Sequence, residues 1–222
     1  MKNLLQTLLY ASVLLFCSTR LYAQPGQMTQ SEKTRRFLLR YVTYMDTTKV
    51  EESRDNVLRG IEMVANNAKG DWLSQYHAAF WNAVLGVDKA DTALANKMLN
   101  KAGDYLVVAE TVQKNESEIV LLKAMVKGMR IKVNPALGEK LGPEVMKEYE
   151  AARKLNPENP RVWLVLGESF SYMPEEAGGG KKKAIEYLET SLKKFGNDTH
   201  EDPAWPKWGK DRAEKLLAEL KK

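Results

Sequence analysis

Four times along the chain, a small or branched residue is followed four places on by a bulky one and three places further by another small or branched one. The four are Val57-x3-Ile61-x2-Val64, Ala95-x3-Leu99-x2-Ala102, Val145-x3-Tyr149-x2-Ala152 and Ala184-x3-Leu188-x2-Ser191. Their starts lie 38, 50 and 39 residues apart. Spacings of four and three put each trio on one face of a helix. A single helix pair cannot bury such a face by itself, whereas several stacked pairs form one continuous core. The pattern therefore demands a helical array.

The remaining segments agree. Phe37, Leu38, Tyr41, Val42 and Met45 share a helical face, as do Ala213, Leu216, Leu217 and Leu220. No stretch alternates as a half-buried strand would. Asn115-x-x-Glu118 reads as a capping box, and Gly142-Pro143 sets a proline in a helix's first turn. Asn156-Pro157 and Gly196-Asn197 read as helix stops. The expected class is all-α.

The fullest unit adds a first helix, Trp163-x2-Leu166-Gly167-x2-Phe170, ahead of Ala184, Leu188 and Ser191. In this pattern the chain resembles the tetratricopeptide repeat family. Residues 161–195 carry the resemblance best, 143–157 on the second helix only, and 50–105 loosely. The export signal, the turn MPEEAGGGKKKA and the late DPAWPKWG are similar to small periplasmic tetratricopeptide proteins of Gram-negative bacteria. The resemblance implies an αα-superhelix, a right-handed solenoid of antiparallel helix pairs with a C-terminal capping helix near Trp208–Leu220. The expected boundaries are a signal peptide over 1–23, an N-terminal helix over 24–48, repeats over 49–196, and a loop with capping helix over 197–222.

It also implies where a ligand sits, in a concave groove lined by the first helices. The corresponding positions are Ser74, Ala78, Trp81, Asn82, Leu122, Val126, Met129, Arg161, Leu164, Glu168 and Tyr172. They lack the lysines and asparagines of the family's carboxylate clamp. A mixed apolar and polar groove suits an apolar helix or an extended peptide.

The N-terminus reads as a cleaved signal. Lys2 precedes the apolar run Leu4–Phe16, and cleavage after Ala23 would leave Gln24 first. Phe16 is a poor residue before a lipid-modified Cys17, so a soluble periplasmic product is expected rather than a lipoprotein. Cys17, the sole cysteine, leaves with the signal, which excludes disulfides, thiol catalysis and cysteine-bound zinc. Removing Lys2 and Arg20 takes 34 basic residues to 32 against 29 acidic, a net charge of +3. The signs are interspersed, without the basic, aromatic-laced stripe of a nucleic-acid binder.

Catalytic motifs are missing. Gly180-Lys181 has Glu175 where a P-loop needs glycine and Lys182 where it needs serine or threonine, so the PEEAGGGKKK segment reads as a turn. His77 sits among aromatics and His200 in an acidic loop, neither in a metal-ligand spacing. Ser169 lacks the glycine frame of a nucleophile elbow. Glu51–Glu52 and Glu175–Glu176 are adjacent pairs that do not face one point on a helix. No catalytic, metal or cofactor residues are therefore assigned. The expectation is an exported, non-catalytic scaffold for a protein or peptide partner. The alternative is a small-molecule-binding accessory subunit of a periplasmic transport system. One cluster exceeds what a single helix face can bury: Trp72, Tyr76, Phe80 and Trp81.

Overall fold

The computed structural model describes residues 28–48 and 50–222. The expected signal peptide lies outside the described residues. The chain divides into two compact units, Met1–Lys33 and Thr34–Lys222. In the first, the described residues open a helix through a capping box. The Thr29 amide donates to Glu32 Oε2 at 2.7 Å, and the Glu32 amide donates back to Thr29 Oγ1 at 3.2 Å.

All regular structure among the described residues is helical. In order it comprises α1 (Gln30–Thr47), α2 (Glu51–Asn67), α3 (Trp72–Val87), α4 (Thr92–Val112), α5 (Ser117–Val133), α6 (Gly138–Leu155), α7 (Pro160–Tyr172), α8 (Lys181–Phe195) and α9 (Lys210–Leu220). Short 3-10 turns at Pro135–Leu137 and Glu175–Ala177 precede α6 and α8. The most extensive contacts pair α3 with α4, α5 with α6 and α7 with α8, and α9 lies on α8. No helix among the described residues is long and apolar enough to cross a membrane.

The four repeated trios fall on α2, α4, α6 and α8, and every member is buried. Small members let the paired helices close up. At Gly86 on α3, an added Cβ would sit 2.8 Å from the Met98 Cβ of α4. Helix α3 is buried nearly all round, from Leu73 to Gly86 apart from Val84, as its continuous apolar and aromatic sequence requires. That accounts for the surplus aromatics at Trp72–Trp81. They pack against Trp205 and Trp208 from the C-terminal segment.

Two sequence expectations are corrected. Asn115 does not cap α5: it adopts φ 56°, and Glu116 is the cap, accepting from the Glu118 amide at 3.3 Å. Glu118 is unavailable to close a box because its carboxylate turns inward to Arg161. Pro143 does not open a helix either, since α6 already begins at Gly138. Its missing N–H costs only the bond to the Glu139 carbonyl, near the helix start, where α6 absorbs the loss. The PEEAGGG segment is a turn, with Gly178 and Gly180 at φ 82° and 101°.

Candidate functional site

The face expected to hold a ligand is occupied by the chain itself. Residues 197–209 run from α8 back across α7 to α3. Asp198 accepts from Arg161 Nη1 of α7 at 2.8 Å. The Ala204 carbonyl accepts from His77 of α3 at 2.7 Å, and Trp208 Nε1 donates to the Tyr76 hydroxyl at 2.9 Å while its ring stacks on Phe80.

Most of the expected groove residues are inside. Ser74, Ala78, Leu122 and Leu164 are fully buried, and Asn82 and Val126 nearly so. Ser74 donates to Asp71 at the start of α3, and Asn82 donates to Glu62 and to the Ala78 carbonyl. Trp81 borders a small cavity of about 90 Å³ shared with α1 and residues 203–208. Arg161 is locked in a buried ion-pair network. Its Nε donates to Glu118 at 2.6 Å, and Glu118 also accepts from Tyr76 at 3.1 Å. Burial alone would lower the Arg161 pKa, but the Glu118 and Asp198 carboxylates hold it above its ordinary value. Burial, then the Glu118 charge, pushes the Tyr76 hydroxyl well up.

Only Met129, Glu168 and Tyr172 of the expected set meet at an accessible hollow, which lies between α5, α6 and α7. Its larger part, about 660 Å³, is lined mainly by Ile131, Pro143, Val145, Met146 and Met173, with Tyr172 at the edge. A second part of about 380 Å³ shares Gly128, Ile131, Ser169 and Tyr172 with it and adds Met129, Lys132, Tyr149, Glu168 and Arg212. The volumes fall within the span of about 300–1,000 Å³ common to small-ligand sites. Tyr172 is 80 % exposed at the edge.

Three glycines line the larger part, and all lie in helices: Gly128 in α5, Gly138 and Gly142 in α6. None has a positive φ. None is needed for close packing either. An added Cβ would find Tyr149 no nearer than 3.6 Å at Gly128, Ile131 at 3.5 Å at Gly138, and nothing within 4 Å at Gly142. In the middle of a helix glycine costs about 0.5–1 kcal/mol relative to alanine, a cost that falls on Gly128 and Gly142, since Gly138 is the first residue of α6. What the three gain in return is open space.

Polarity is confined to one end. Glu168 of α7 pairs with Arg212 of α9, Nε to Oε1 at 3.2 Å, and Lys132 lies beside them. The Tyr149 hydroxyl there is pushed up, chiefly by burial and then by the Glu168 charge. The thioethers of Met125, Met129, Met146 and Met173, the phenols of Tyr149 and Tyr172 and the Glu168 carboxylate are among the soft and hard donors that line the groove. Both histidines lie elsewhere, His77 against Ala204 and His200 stacked on Trp205. Sequence reasoning missed Ile131, Pro143, Val145, Met146 and Met173. It placed Gly142-Pro143 in a helix's first turn and gave the glycines of VNPALGEKLGP no ligand role.

Fold and groove together define an all-α protein of stacked helix pairs with an open apolar hollow between two adjacent pairs. No protein-family model matches the chain, and no curated protein matches its sequence. Among solved structures the chain is similar to the HusA haemophore from Porphyromonas gingivalis. The likeness has 26% identity and a TM-score of 0.76, and covers 87% of this chain and 96% of that one.

Proposed function

We propose that this protein is an exported, non-catalytic carrier of haem or a related flat apolar molecule, bound in the groove between α5, α6 and α7. The observation that carries the reading is the trio of helical glycines that keeps this groove open at a cost in helix stability. The likeness to a haemophore, over nearly the full length of both chains, supplies the ligand class and supports export. Thioether and aromatic walls suit a polarisable macrocycle. The residues that would hold haem iron there are the Tyr172 phenol and the methionine thioethers of the wall, side-chain types that serve as haem ligands. The helix pairs are of tetratricopeptide type in this reading, with the usual ligand face given over to residues 197–209. The small-molecule alternative is therefore preferred to a peptide scaffold.

The test is a titration of haemin into residues 24–222, followed at the Soret band, with Gly128→Leu and Trp81→Ala beside the wild type. Gly128 sits where the two parts of the groove join, so a leucine fills it while improving helix propensity. Binding lost in Gly128→Leu, kept in Trp81→Ala, with thermal stability unchanged in the former, is the expected result. No Soret shift with the wild type, or equal binding by Gly128→Leu, overturns the reading.

A further inference from the structure

The groove is apolar over most of its wall and carries its charges at one end only. At that end the wall carries Lys132 on α5, Arg212 on α9 and the carboxylate of Glu168 on α7. Arg212 pairs with Glu168, while Lys132 pairs with the exposed Asp88 at 3.5 Å. An uncharged ligand would gain nothing from this end. A neutral macrocycle would be served equally well by an apolar wall. A cationic ligand would meet the Arg212 guanidinium with the Glu168 carboxylate already engaged.

Resting on the haem-carrier reading, we infer that the groove selects flat apolar molecules bearing carboxylates on one edge, and that Arg212 is the selecting residue. In the free protein Glu168 holds the Arg212 guanidinium at the rim. On binding, a ligand carboxylate takes over that guanidinium through a charge-assisted, two-pronged pair, and Lys132 faces the second carboxylate. Glu168 is then both placeholder and competitor. It keeps Arg212 in position while empty, and it subtracts from affinity for anions when the ligand arrives. The arrangement also orients the ligand, with its apolar edge towards Pro143, Val145 and Met146 and its carboxylates towards α9.

The experiment compares haemin with haemin dimethyl ester, which keeps the macrocycle and iron but lacks the charges. Both are titrated at the Soret band against the wild type, Arg212→Gln, Arg212→Lys and Glu168→Gln, with thermal melts confirming that α9 stays docked. The wild type is expected to prefer the free acid. Arg212→Gln weakens haemin about tenfold, as loss of one charge-assisted pair implies, and leaves the ester unchanged. Arg212→Lys restores part of the difference. Glu168→Gln tightens haemin by about threefold, on the scale of a relieved partly exposed ion pair, and again leaves the ester alone. Equal binding of acid and ester by the wild type overturns the inference while leaving the haem-carrier reading standing. So does an Arg212→Gln effect of the same size on both ligands. If neither probe binds, the carrier reading falls and the inference falls with it.

Discussion

Arg161 on α7 and Glu118 on α5 meet at 2.6 Å with both side chains only 1% exposed. They are 43 residues apart and form the charged centre of the interior. Tyr76 joins them from α3 and Asp198 from the C-terminal segment, so one network touches three helix pairs and the loop that crosses them.

Removing one partner of such a pair strands the other in a low-dielectric interior. Arg161→Met is expected to cost about 3–5 kcal/mol. The double variant Glu118→Leu/Arg161→Met recovers more than half of that, because no uncompensated carboxylate remains in the centre. Urea unfolding of the two singles and the double measures the coupling.

His77 sets a pH dependence. Burial lowers its pKa from 6.5 to about 4, and its Nε2 donates to a carbonyl that can only accept. The folded imidazole therefore stays neutral down to about pH 4, whereas the unfolded one protonates near 6.5. Between these values the unfolded chain binds more protons. Stability from this residue is thus complete above pH 6.5 and is lost as pH falls towards 4, by about 3 kcal/mol in all. His77→Gln, which retains a donor but cannot titrate, is expected to flatten that limb in denaturation measured from pH 7.5 to pH 4.5.

Two glycine substitutions within adjacent helices should act in opposite directions. Gly86→Ala drives a Cβ to within 2.8 Å of the Met98 Cβ, a part of that side chain that cannot swing away. It is expected to destabilise by about 1–3 kcal/mol. Gly103, inside α4, has nothing within 4 Å of an added Cβ, and Gly103→Ala is expected to stabilise by about 0.5–1 kcal/mol. Thermal melts of both variants distinguish them.

If the groove carries haem, neither histidine takes part. The double variant His77→Gln/His200→Ala is expected to leave the haemin titration unchanged, whereas Tyr172→Ala weakens it about five- to tenfold through loss of one ring contact. Binding that fails in the histidine variant and survives in Tyr172→Ala would move the ligand site to the other end of the molecule.

The helices were legible because their cues are local. Ala184, Leu188 and Ser191 lie within two turns, and their spacing alone turns them to one side. Gly196 and Asn156 mark ends by their own backbone preferences. Glu118 misled because its alternatives differ in range. Its backbone neighbourhood suggested a partner three residues away, and the interior supplied a charged one 43 residues on. Leu164 and Ala78 were placed on a ligand-facing side, and no local signal shows that residues 197–209 cover it. Met129, Glu168 and Tyr172 were reached through the register of the first helices. Met146 and Val145 sit on a second helix, on the side from which a ligand was not expected.

The bond from Trp208 to Tyr76 joins positions 132 residues apart. An open array of helix pairs holds each unit only through its neighbours, so its ends fray first and its unfolding proceeds piecemeal. Here the tail is fastened to α3, near the other end of the array, and the linear stack becomes a clasped ring of contacts. Helices α3 to α8, which lie between the two anchor points, cannot splay apart without breaking the clasp. That span should therefore unfold as one cooperative body, and fold more slowly than its helical content suggests, since closure waits for residues far apart in sequence to meet.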